Sequence, residues 1–194
     1  EMLRSLVGSE MCIRDSLKRA WAEIDLDALE HNYNEIKKLA KGKDILAVVK
    51  ANAYGHDDKA VCLKLQELGV KYYGVSNLWE GEKLRCHGIT GTILTFGYTD
   101  EDYFDELLEY GITQTAGSVQ YAKQLSDYAV SKGVKLPVHI KVNTGMTRVG
   151  IDSQQEMLDI LDMPGLDCKA AYTHFAAADS LDPSDVEYTD RQQE

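Results

Sequence analysis

Four side chains able to do chemistry stand at the ends of apolar runs or within them. Lys50 closes Ile45-Leu-Ala-Val-Val49, five apolar residues without a break, and the chain then turns through Asn52, Tyr54, Gly55 and His56. That pattern reads as a buried parallel strand with a lysine at its C-terminal end, where an amine can act as a nucleophile. Arg148 ends the polar loop Asn143-Thr-Gly-Met-Thr-Arg148, which follows the strand-like Pro137-Val-His-Ile-Lys-Val142; His174 closes a further run from Lys169. Lys141 lies inside the apolar strand itself. One by one each has a plain structural reading: a snorkelling lysine, a surface arginine, a satisfied core histidine, and for Lys141 a buried carboxylate partner. Placed together at one end of a parallel sheet, they are the side chains such folds put at an active site.

The elements that must position them alternate regularly. A short strand is expected from Trp21 to Leu26, then a helix through Leu29, Tyr33, Ile36 and Leu39, capped by Asp25 or Asp27 and ended near Gly42. Strands are predicted at 45–49, 72–76, 92–96, 112–115, 137–142 and 169–174. Helices are predicted between them, capped by Asp57 and carrying Val61, Leu65 and Leu68, then at 78–86, 102–110, 118–131 and 154–161; Asp182-Pro183 opens another. Six βα repeats mean an α/β fold with a parallel sheet, either doubly wound or a (β/α)₈ barrel. A complete (β/α)₈ barrel takes ~250 residues, so 194 residues are expected to stop about six units in.

The balance of 21 basic and 32 acidic residues, a net charge of −11, argues against nucleic acid as a partner. No apolar run approaches the ~18 residues of a membrane span, and the N-terminus lacks the apolar centre of an export signal. Cys12, Cys62, Cys86 and Cys168 are scattered, without C-x-x-C pairs or metal-like spacing to histidine; they read as reduced thiols in a cytoplasmic protein with no bound metal. Residues 1–18 show no period and are expected to be unrelated to the domain that occupies 19–194.

The run Ile45 to His56 resembles the lysine motif of the alanine racemase family. Lys141-Val-Asn-Thr-Gly-Met-Thr-Arg-Val-Gly150 resembles that family's second signature, and Tyr172-Thr-His-Phe-Ala-Ala-Ala-Asp179 its third. The resemblance runs from about residue 19 to residue 194. It implies a TIM-type barrel, incomplete at its C-terminal end, that binds pyridoxal 5'-phosphate. By the same resemblance Lys50 forms a Schiff base with the cofactor and is the catalytic lysine. Tyr54 contacts the phosphate, Arg148 bonds the phenolic oxygen and serves the substrate, His174 lies against the ring, and Lys141 is a lysine carbamylated in many members. The implied reaction interconverts L- and D-alanine for the cell wall, in a homodimer. A serine racemase, or a carrier that only holds the cofactor, are the alternatives. The second base, a partner-subunit tyrosine, and the arginine facing the pyridine nitrogen are placed by the resemblance beyond residue 194, so this chain alone is expected to be inactive. Asn143, Asp57 and Phe96 stand where the family more often has Asp, Gly and Leu.

Overall fold

The computed structural model describes residues 22–194. Trp21 and the segment 1–18 lie outside the described residues. Six strands, β1 (Leu46–Val48), β2 (Tyr72–Val75), β3 (Thr92–Thr95), β4 (Ile112–Ala116), β5 (Leu136–Lys141) and β6 (Leu166–Tyr172), form one sheet, parallel throughout, in the order of the chain. A doubly wound sheet reverses its order at a switch point; a monotonic order winds in one sense only, as a barrel does. The sheet curls far enough for side chains of β1 and β6 to line one cavity. The fold is therefore an α/β barrel of TIM type with six strands in place.

Helices α1 (Leu26–Leu39), α2 (Asp58–Glu67), α3 (Leu78–Cys86), α4 (Phe104–Glu109, preceded by a 3₁₀ turn at Glu101–Tyr103), α5 (Val119–Lys132), α6 (Gln154–Leu161) and α7 (Pro183–Gln193) connect or follow the strands. Their starts are written in side-chain oxygens. Asp25, Asp57, Asn77 and Ser118 each accept from a free backbone N–H of the first turn, and Ser153 with Glu156 completes a capping box. Strand alternation sorts the rest: Tyr73, Val75, Ile93, Ile112, Val138 and Ile140 face the helices and pack with Leu65, Leu84, Phe104, Leu107 and Leu125 into the core. At ~2 kcal/mol for each fully buried large apolar side chain, this layer is what holds the helices to the sheet.

Two expectations need correction. Ala22 to Asp25 form no strand, because Asp25 is already committed as the cap of α1, its Oδ1 accepting from the amides of Asp27 and Ala28 at 2.9 Å each. The last strand begins three residues earlier than predicted and ends at Tyr172, so His174 lies in the loop beyond it. A register shift between Val138 and His139 leaves Lys169 without a partner in the ladder, a bulge that sequence periodicity does not announce.

Candidate active site

Beyond β1 the chain does something that its residues do not demand. Ala51, Asn52, Ala53 and Tyr54 all take left-handed backbone angles, φ 51–55° and ψ 35–49°, within the turn Lys50–Gly55. For L-residues this conformation costs ~1–2 kcal/mol each, so the four together store about 4–8 kcal/mol that neighbours must offset. The offsetting bonds are visible. Ala53 N–H donates to Val49 O at 2.9 Å, Asn52 Oδ1 accepts from Asp58 N–H at 3.0 Å, and Glu80 Oε1 accepts from Ala51 N–H at 2.8 Å. Glu80 Oε2 takes both the amide and the hydroxyl of Ser76, at 2.8 and 2.7 Å. Burial pushes the Glu80 carboxyl up, but the Ser76 bonds, the Ala51 amide and the charge of Lys50 outweigh it and hold the group below the usual carboxylate range.

Lys50 and Tyr54, from this turn, line a cavity of about 510 Å³ at the C-terminal end of the strands, together with Phe96, His139, Lys141, Arg148, Tyr172 and His174. Among the described residues that line it there is no aspartate or glutamate. Three cations, two imidazoles and three aromatic rings thus face one space with no carboxylate among its described lining residues, a donor set suited to an anionic, ring-bearing ligand.

Lys141 is buried at 7% exposure; its ammonium donates to Val142 O at 3.0 Å and sits 5.3 Å from the centre of the Tyr172 ring. Among the described residues no carboxylate pairs with it. Burial, and then the charge of Arg148, bring its pKa down, which favours the neutral amine. Tyr172 is fixed by a directed chain: the Thr115 hydroxyl donates to Thr95 O at 2.7 Å, so the Tyr172 hydroxyl must donate to Thr115 Oγ1 at 2.9 Å. His174 is exposed, and burial, Arg148, Lys141 and Lys50 in that order lower its pKa. His139, whose pKa burial also lowers, faces the same space two residues before Lys141.

The loop that brings Arg148 in is built around Asn143. Its Oδ1 accepts from the amides of Gly145 at 3.2 Å and Thr147 at 2.8 Å, while its Nδ2 donates to Asp152 at 2.6 Å. An aspartate here would set two carboxylates together, which is a physical reason for asparagine beside Asp152. From the other side α7 holds the loop: Tyr188 donates to Gly145 O at 2.7 Å, and buried Gln192 bonds Thr144, His174 O and the Ala176 amide. Asp57 caps α2 through Ala60 N–H at 2.9 Å.

The structure thus brings Lys50, Tyr54, Lys141, Arg148 and His174 to one cavity. Sequence reasoning passed over His139, although alternation puts it on the face of Lys141, and Glu80, for which 29 residues of separation from Ala51 left no local signal.

Residues 24–194 match the family described as "Alanine racemase, N-terminal domain". The alanine racemase of Clostridium perfringens (strain SM101 / Type A) is 40% identical over 177 residues, covering 89% of this chain and 45% of the relative. Among solved structures, alanine racemase of Clostridium difficile 630 superposes with a TM-score of 0.82 at 36% identity, over 89% of this chain and 47% of that one. A histidine racemase from Leuconostoc mesenteroides subsp. sake NBRC 102480 gives 0.79 at 27% identity, over 87% and 46%. The chain spans a little under half the length of these relatives.

Proposed function

The chain belongs to the alanine racemase family, and from that premise we propose that it forms the cofactor-binding barrel of a pyridoxal-phosphate-dependent racemase whose substrate is alanine. The observation that carries the proposal is the acid-free cavity into which Lys50, Lys141 and Arg148 converge. The fit to the cofactor is chemical: a phosphate and a phenolate oxygen supply the negative charge this cavity lacks, and Phe96 and Tyr172, 5.9 Å apart between ring centres, offer apolar walls to a pyridine ring.

When bound, pyridoxal phosphate supplies an electron sink that makes the α-proton of an attached amino acid acidic. Lys50 would be the covalent anchor and, with its amine free, the group that could remove or return that proton on one face. Arg148 would donate to the phenolic oxygen and, as a cation, would orient the substrate carboxylate. Tyr54 would hold the phosphate and His174 would lie against the ring. Lys141, with its amine pushed toward the neutral form, takes up CO₂ with loss of a proton, and the resulting carbamate balances the Arg148 guanidinium. The positioned Lys141 and Arg148 pair favours a racemase over a passive carrier, which needs only the anchor. The relatives at 36–40% identity that are named alanine racemases favour alanine over serine. Supply of D-alanine to the cell wall, by a cytoplasmic homodimer, belongs to the same proposal.

Borohydride treatment of the chain in pyridoxal phosphate, followed by peptide mapping, is expected to place the reduced adduct on Lys50. An adduct on another lysine, or none on folded protein, would overturn the assignment.

A further inference from the structure

Four left-handed residues directly after the anchoring lysine are held at their first amide by one carboxylate, and that arrangement has a use. We propose that Glu80 is the positioning residue of Lys50: by accepting the Ala51 N–H, it holds the strained turn in the one conformation that sends the Lys50 amine and the Tyr54 ring into the same cavity. The proposal rests on the reading of Lys50 as the cofactor anchor.

Three observations support it. Ala51 is the first of the left-handed residues and has no glycine-like freedom, its φ being 53°. Its amide has no turn carbonyl in reach of the kind that serves Ala53; its partner is Glu80 Oε1 at 2.8 Å, 29 residues away on α3. Glu80 is itself immobilised, because its second oxygen is occupied by the Ser76 amide and hydroxyl at the end of β2. The carboxylate therefore ties the end of β1 to the end of its neighbour β2 at the rim of the barrel. The next residue, Asn52, makes the corresponding tie to α2 through Asp58 N–H at 3.0 Å. A helix-surface glutamate would show neither the bond to a strained amide nor the second anchor.

Loss of the carboxylate should release the turn toward right-handed or extended angles and carry Lys50 and Tyr54 away from each other. Glycine at position 51 adopts positive φ without the Cβ penalty, so it should recover the turn without Glu80. This rescue separates positioning from general stabilisation, since a merely structural loss on α3 would not be repaired by a change at position 51.

The experiment compares the wild-type chain with Glu80→Ala, Glu80→Gln and the double variant Glu80→Ala/Ala51→Gly. The readouts are the yield of borohydride-trapped pyridoxal phosphate on Lys50 and the hydrogen-exchange protection of the residue 51 amide. Capture by the wild-type chain tests the anchor itself, so failure there defeats the functional reading and with it this proposal. With wild-type capture in hand, Glu80→Ala should lower the trapped yield about tenfold, as expected for a lost charge-assisted bond, and the glycine double variant should recover most of it. Glu80→Gln, which keeps an acceptor for the Ala51 amide, should lie between. Should Glu80→Ala fail to fold, the glutamine variant carries the test. Unchanged capture in Glu80→Gln with lost amide protection, or no rescue by glycine in a folded Glu80→Ala background, would overturn the proposal.

Discussion

His174 meets Lys50, Lys141 and Arg148 in one field, and burial together with these charges disfavours its protonation. The sign follows directly. The neutral imidazole is the form the fold prefers, so the folded chain binds fewer protons than the unfolded one between the lowered value and the ordinary 6.5. Stability linked to this group is present above 6.5 and is lost as pH falls through the folded value. An NMR titration of the His174 ring, assigned with His174→Gln, should show a midpoint below 6.5 in the ligand-free chain. Saturating pyridoxal phosphate brings negative charge to the three cations and should move that midpoint upward. A ligand-free midpoint at or above 6.5 would mean that the cations do not act on His174 as the geometry indicates. The same field bears on Lys141: burial and the charge of Arg148 favour its neutral amine, and they outweigh the Val142 carbonyl and the Tyr172 ring face, which favour the ammonium.

At the scale of elements, the wall of the cavity depends on an absent side chain. A Cβ at Gly74 of β2 would stand 2.5 Å from the Phe96 ring and 2.9 Å from Leu46, so glycine is what lets Phe96 lie across the sheet. Gly74→Ala should cost about 1–3 kcal/mol by overpacking. For a domain of this size that lowers the melting temperature by roughly 2–4 °C per kcal/mol, and Phe96→Leu in the same chain should recover most of the loss. A Gly74→Ala variant that melts with wild type would show that Phe96 moves aside freely. Such elements divide into those the sequence announces and those it does not. Helices α3 and α6 are legible to the residue, because Asn77 and Ser153 offer caps at their starts and, in α6, the apolar residues recur on one face. The convergence of Lys50, Arg148 and Lys141 was legible too, since all follow or end strands of one parallel sheet. The left-handed turn was not: Ala-Asn-Ala-Tyr carries no glycine, and its conformation is imposed by partners distant in sequence such as Glu80. Nor was the bulge opposite His139, which depends on the pairing of β5 with β6 rather than on either strand alone.

Across the molecule, the sheet has two open edges among the described residues, β1 and β6, and both flank the cavity. Val48 is 40% exposed on one of them, and unpaired backbone there is a template for association with other chains. A chain extended to the length of its relatives should therefore remain monodisperse at concentrations where the 194-residue chain aggregates, as light scattering would report. Equal aggregation of both would mean that the edges are already protected. The order of the sheet, β1 to β6 without exchange, has a further consequence for how the protein is made. Each strand emerging from the ribosome finds its partner already in place as the strand just before it, so assembly proceeds by short-range additions that need no rearrangement. In a closed ring of this winding, the strand pairing of greatest sequence separation would be the one that joins β1, the first strand among the described residues, to the last. β1 would then wait longest for its second neighbour, and Lys50 stands just beyond its end.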